Sequence, residues 1–164
     1  MPPAQLMAIG GLSGSGKSTR ARREAPAIGR APGAIILRSD ELRKRLWACP
    51  EYETLSQEAY APEENARIYG HIFALAETVL AAGQSVILDA TFRESDWRDR
   101  CEGLAYDGNV AFTGLWLDLP ADVRSRRVAA RVNDASDATP DIAFNQQDID
   151  PSMILWHIEK ASKP

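Results

Sequence analysis

Apolar positions in this chain fall into short unbroken runs, and the segments between them carry apolar residues at helical spacing. Residues 5–10, QLMAIG, form a run that ends in glycines, the pattern of a buried strand stopping at a tight turn. The Ala- and Arg-rich stretch after residue 16 predicts a helix that Pro26 ends. GAIILRSD, from residue 33, predicts a second strand, with Ser39 capping a short helix from Asp40 to about Trp47. Residues 48–61 read as loop. Pro62 then opens a long helix to about Ala82, closed by Gly83, in which Ala66, Tyr69, Phe73, Ala76 and Leu80 form a core stripe.

SVILDAT, residues 85–91, has no polar alternation, as expected of a strand covered on both faces. A helix from Ser95 to about Ala105 follows, then a fourth strand in NVAFTGLWLDL, residues 109–119. Pro120 opens an Arg-rich helix to about Val132, Thr139 and Pro140 cap and start a short one, and MILWHIEKA, residues 153–161, supplies a fifth strand. Strands alternating with helices and no internal repeat predict a three-layer α/β/α domain over residues 1–164, with a five-stranded parallel sheet.

Composition narrows the function classes. The 164 residues are 45% hydrophobic and 26% charged, which excludes a disordered or fibrous chain. No apolar run is long enough to span a membrane, and MPPAQLMAIG lacks the features of a signal peptide, so a cytoplasmic location is expected. A net charge of -4 supplies no general field for a nucleic-acid backbone. Cys49, Cys101, His71 and His157 have no zinc-ligand spacing and are expected to be structural. Lysine is scarce: Lys17 and Lys44 are the only ones before residue 160, which suggests that a compact point charge is wanted at each.

Gly11, Gly16, Lys17 and Ser18 fit G-x-x-x-x-G-K-[ST] between a predicted strand and a predicted helix, the setting this motif requires. Glycines 11, 14 and 16 let consecutive N–H groups point inward, and the helix start adds its positive end, so the loop is an anion cradle. Lys17 would reach the β- and γ-phosphates of a nucleotide and the Ser18 hydroxyl would sit on Mg²⁺. The candidate nucleotide-binding residues are Gly11, Ser13, Gly14, Ser15, Gly16, Lys17, Ser18 and Thr19.

Asp89 ends the third strand, from which a carboxylate reaches the metal shell or caps the following turn. Thr91 and Arg93 follow as substrate contacts or plain loop residues. Asp40 and Arg43, three apart at a helix start, share a face toward the ligand edge of the sheet. There Asp40 could take a proton from an acceptor hydroxyl and Arg43 hold a phosphoryl group, or the pair could simply cap the helix. Arg124, Arg127 and Arg131 make a basic stripe just before a segment, 133–150, with five Asp and no basic residue. That stripe fits a lid, over about 120–148, folding onto a nucleotide, or a solvated face paired with the aspartates.

Taken in order, GLSGSGKST, LRSDELRKRL, GQSVILDATF, RRVAAR and DASDATPDIAFNQQ resemble the P-loop kinases of the AAA_33 type, related to phage polynucleotide kinase and the zeta toxins. The resemblance implies a P-loop NTPase fold with a helical lid, ATP and Mg²⁺ as cofactors, and Ser18 and Asp89 at the metal. It makes Asp40 the base toward an acceptor hydroxyl, with Lys17, Arg43, Arg127 and Arg131 around the transferred phosphoryl and Arg127 also on the nucleotide. The last two blocks are similar to the ATP-binding half of bifunctional proteins with an aminoglycoside phosphotransferase-like front domain, a half this chain lacks. The acceptor is therefore left open, as is selectivity for adenine, because little chain follows the fifth strand. A small-molecule hydroxyl is the first expectation. A 5′-hydroxyl of RNA or DNA is the second, from the nine basic and three acidic residues between Lys17 and Arg45 with Trp47, Tyr52 and Tyr60 nearby. A non-catalytic nucleotide switch is the third. The chain has no N-K-x-D guanine motif, and Ala90 follows Asp89 where an AAA+ motor would carry an Asp-Glu pair.

Overall fold

The computed structural model describes residues 1–160. Strands β1 (Gln5–Gly10), β2 (Ile35–Arg38), β3 (Val86–Asp89), β4 (Ala111–Asp118) and β5 (His157–Lys160) form one parallel sheet in the order β2-β3-β1-β4-β5. The helices are α1 (Lys17–Glu24), α2 (Ser39–Leu46), α3 (Pro62–Ala81), α4 (Ser95–Asp107), α5 (Ala121–Ala129) and α6 (Pro140–Asn145).

The unbroken apolar strands feed cores on both faces of the sheet. Leu6, Ala8, Val86 and Leu88 point to the face covered by α3 and α4, where Ile72, Phe73, Cys101 and Leu104 meet them. Met7, Ile9 and Ile87 point to the other face, against Ala21 of α1. Each fully buried large aliphatic side chain contributes ~1.5–3 kcal/mol, and the alternation in β1 and β3 fixes register as well as burial.

The chain departs from the sequence pattern in four places. Ala66 lies exposed on α3, and the core stripe is built by Ile68, Tyr69, Ile72, Phe73, Ala76 and Leu80. Ser39 is the first residue of α2 rather than its cap; Arg38 holds the cap position in extended conformation without a side-chain bond. α5 stops at Ala129, short of Val132, and the chain from 130 to 139 is irregular, with Asn133 at φ +54°. The expected fifth strand opens instead with a 3₁₀ turn at Pro151–Met153, leaving strand only from His157, and its expected last residue, Ala161, lies outside the described residues. Thr139 does cap α6, its hydroxyl accepting from the Ile142 N–H at 3.2 Å.

β1 lies between β3 and β4, so the chain leaves its carboxyl end where the sheet order reverses. Ile9 stands beside Asp89, and Leu88 beside Leu37. The loops after β1, β2 and β3 thus open into one crevice. Among the described residues, no helix is long and apolar enough to cross a membrane.

Candidate functional site

The loop between β1 and α1 is shaped by glycines that have no room for a side chain. Gly14 has φ +84°, and a Cβ there would sit 2.4 Å from the Arg124 carbonyl oxygen; at Gly11 it would meet the Ser15 Oγ at 2.5 Å. The Gly11 N–H donates to the Thr91 carbonyl at 3.1 Å, tying the loop to the segment after β3. Gly14→Ala is expected to cost at least ~2 kcal/mol from left-handed strain and overpacking, read as a lower melting temperature together with lost nucleotide binding.

The crevice encloses a cavity of about 490 Å³, within the range of small-molecule sites. Lys17, Ser18, Asp89 and Arg131 line one part of it and Asp40, Arg43, Tyr60 and Arg93 another. The Ser18 hydroxyl donates to Asp89 Oδ2 at 2.6 Å. Asp89 is nearly inaccessible to solvent, and Arg38 Nε stands 3.5 Å from the same oxygen. Burial lowers the Lys17 pKa, opposed by Asp89 and Asp40, while its ammonium donates to the Leu12 carbonyl at 3.2 Å. Burial raises the Asp40 pKa, opposed by Arg38 and Lys17.

Other expected residues take different places. Ser13 lines the cavity and its N–H donates to Gln146 Oε1 at 2.8 Å, whereas Gly11, Gly14 and Ser15 build the loop behind it. Thr19 is exposed on α1 and outside the cavity lining. Arg127 is also exposed, with Nη1 3.4 Å from the Ser15 carbonyl at the rim of the loop. Arg43 is turned into the protein: Nη2 donates to Asn65 Oδ1 at 2.9 Å, Nη1 donates to the Ala59 carbonyl, and the guanidinium lies 4.6 Å above the Tyr60 ring.

The basic stripe is not one solvated face. Arg124 is buried, donating to the Leu119 carbonyl at 3.1 Å, the Ala143 carbonyl at 2.7 Å and Asp148 at 2.9 Å. Helical spacing does not apply to Arg131, because α5 has already ended. Arg131 enters the cavity from the irregular segment, with a buried Nη1 that has no hydrogen-bond partner among the described residues.

Arg38, Asp134 and Asp137 had no place in the sequence reading. Arg38 Nη2 donates to Asp134 Oδ1 at 2.6 Å, so this guanidinium bridges the end of β3 and the 130–139 segment. Asp137 accepts from Lys44 Nζ at 2.5 Å, from the Tyr60 hydroxyl at 2.5 Å and from the Leu55 N–H at 2.9 Å. Lys44 is almost wholly buried, so its compact charge serves as an anchor for Asp137. A charged residue ending an apolar strand at the ligand edge was the available signal for Arg38. Two Asp three residues apart in an otherwise uncharged stretch were the signal for the others. Past β3, Phe92 sits at φ +49°, held by its N–H to the Tyr69 hydroxyl at 3.1 Å and by Arg98 Nη1 to its carbonyl at 2.7 Å. That strained turn presents Thr91 and Arg93 to the cavity.

A parallel sheet in this order, with a glycine loop running into α1 and Asp89 ending the adjacent strand, defines a P-loop kinase fold. Solved structures with this fold include the APS kinase CysC of Mycobacterium tuberculosis in complex with AMPPNP and APS (TM-score 0.60, 22% identity, 79% of this chain and 71% of that one). A gluconokinase of Sinorhizobium meliloti superposes with TM-score 0.58 at 19% identity, over 99% of this chain and 85% of that one. The family model AAA_33, an AAA domain, matches residues 6–148, and the chain belongs to that family. An uncharacterized protein of Mycobacterium tuberculosis is 33% identical over 143 residues, 85% of this chain and 28% of the relative. A thymidylate kinase of Xanthomonas euvesicatoria is 32% identical over 143 residues, 79% of this chain and 63% of the enzyme. The chain thus spans little more than a quarter of the mycobacterial relative.

Proposed function

We propose that this domain binds ATP with Mg²⁺ in the crevice and transfers the γ-phosphoryl group to a hydroxyl of a small molecule. The observation that carries the reading is the convergence in one cavity of Lys17, Ser18, Asp89 and Arg131 with a desolvated carboxylate, Asp40. Kinase relatives and the APS kinase bound to AMPPNP support it.

The residues fit both groups. The backbone cradle excludes a Cβ at Gly11 and Gly14, and the unpaired Arg131 Nη1 is a ready donor for a phosphate oxygen. Ser18 and Asp89 offer two hard oxygen ligands 2.6 Å apart. Two protein oxygens are enough for Mg²⁺, an ion that keeps water and takes phosphate oxygens. When bound, Mg²⁺ would neutralise charge on the phosphates.

In the transfer, Asp40 accepts the acceptor's hydroxyl proton as that oxygen bonds to the γ-phosphorus. The bond from phosphorus to the bridging oxygen breaks, and ADP leaves. Lys17 and Arg131 hold the charge that spreads over the phosphoryl oxygens. In this scheme α5, α6 and the segment between them form the lid, with Arg127 at the edge of the phosphate loop. Arg43 orients the wall around Asn65 and Tyr60 instead of gripping phosphate.

A small acceptor is favoured over a 5′-hydroxyl polynucleotide because the basic segment is not an open groove. Arg38, Arg43 and Lys44 are buried, the Tyr60 ring lies under Arg43, and Trp47 Nε1 donates to Glu64 at 2.9 Å. The test offers γ-labelled ATP and Mg²⁺ with a pooled metabolite extract or with a 5′-hydroxyl oligonucleotide. Label is expected in the metabolite pool, reduced at least about 10²-fold by Lys17→Ala. Label in the oligonucleotide alone would move the acceptor to nucleic acid. Nucleotide binding with no labelled product would make the domain a switch.

A further inference from the structure

Ser18 and Asp89 occupy the metal position of the proposed site, and besides Lys17 a second cation, Arg38, acts on Asp89. Arg38 ends β2 beside Asp89, is 7% exposed, and has Nε 3.5 Å from the Oδ2 that also meets Ser18. A guanidinium there competes with a divalent cation for the same carboxylate. Two carboxylates besides Asp89 act on that charge, Asp40 through space and Asp134 by direct contact. Asp134, carried by the irregular segment after α5, accepts from Arg38 Nη2 at 2.6 Å. That segment is fastened again three residues on, where Asp137 meets Lys44, Tyr60 and the Leu55 N–H. Arg131, aimed into the cavity, belongs to the same stretch of chain.

We propose that Arg38 is a positioning residue that couples docking of the 131–137 strap to capture of the divalent cation at Asp89, a step that rests on the metal site proposed above. With the strap docked, Asp134 occupies the Arg38 charge, and Asp89 is left to Ser18 and the metal. With the strap released, Arg38 loses the Asp134 contact, more of its charge falls on Asp89 and the metal is held less tightly. By linkage the metal then favours the docked strap, which brings Arg131 to the phosphates. Arg38 is a cation in both states, because a guanidinium is not deprotonated in proteins.

The experiment is a two-residue cycle read without catalysis, using Asp134→Asn, Arg38→Gln and the double variant. Binding of AMPPNP is titrated with Mg²⁺, with binding in EDTA as reference, and amide hydrogen exchange is followed over 131–137. Asp134→Asn is expected to raise the Mg²⁺ needed for half-maximal effect about tenfold, measured relative to the same variant's binding in EDTA so that any loss from a looser Arg131 is removed. The double variant is expected to return that requirement close to wild type, although its strap exchanges fast. In the wild type, Mg²⁺ slows exchange of the strap.

A wild-type Mg²⁺ requirement that Asp134→Asn leaves unchanged would overturn the coupling while leaving the metal site standing. A double variant as impaired as Asp134→Asn would overturn it too, assigning the loss to the loosened strap rather than to the Arg38 charge. Nucleotide binding by the wild type that ignores Mg²⁺ altogether would overturn the metal site and the coupling with it.

Discussion

Asp40→Asn is expected to slow phosphoryl transfer by about 10²- to 10⁴-fold while leaving AMPPNP affinity nearly unchanged. The side chain occupies the second position of α2, at the cavity wall, where it acts on the phosphate loop only through the charge of Lys17. Its desolvated carboxyl has a raised pKa, which makes it a better proton acceptor than an ordinary surface aspartate. Arg38 and Lys17 oppose that rise. The base works deprotonated, so the transfer rate should climb as pH rises through the Asp40 pKa. This acid limb lies above the range of an exposed aspartate, and it should vanish in the Asn variant. Single-turnover transfer against pH, beside equilibrium binding, checks both halves. An unchanged rate, or a parallel loss of binding, would remove Asp40 as the base.

The second large effect is structural. Arg124→Ala strips the donors from two buried carbonyls, those of Leu119 and Ala143, from the half-buried Gln146 carbonyl and from Asp148. The Asp148 pair contributes little, because that carboxylate is 71% exposed. The carbonyls matter more: unpaired, they should cost the fold ~3 kcal/mol, or about 6–12 °C in melting temperature for a chain of this size. Arg124→Lys reaches fewer of these acceptors and should rescue only part of the loss. A melting temperature within a degree or two of wild type for Arg124→Ala would show that α5 and α6 are held by their apolar contacts alone.

The architecture was legible because β1, β2 and β3 carry unbroken apolar runs bounded by Gly, Pro or a charged residue, whereas β5, HIEK, is no such run and begins later than expected. The phosphate loop was legible for a similar reason: Gly11, Gly14 and Gly16 stand at positions where the backbone excludes side chains. Helical spacing misled at both ends of the arm. Arg124 and Arg131 are seven apart, but one is buried against α6 and the other belongs to irregular chain, because α5 ends at Ala129. Ala66 joined the expected stripe only because alanine fits either side of a helix. Spacing also put Asp40 and Arg43 together without revealing that Asn65, Ala59 and Tyr60 claim the arginine. Arg38–Asp134 and Lys44–Asp137 span 96 and 93 residues, and no local pattern registers pairs so far apart.

Gly14 and Arg124 meet backbone to backbone, since the place of a Cβ on one lies 2.4 Å from the carbonyl oxygen of the other. No compressible layer of side chains separates the phosphate loop from α5, and Gln146 clamps the loop from α6 through the Ser13 N–H. The loop is therefore the fulcrum of the arm. A change in the backbone of the loop would meet α5 directly, with no side chain between them to yield.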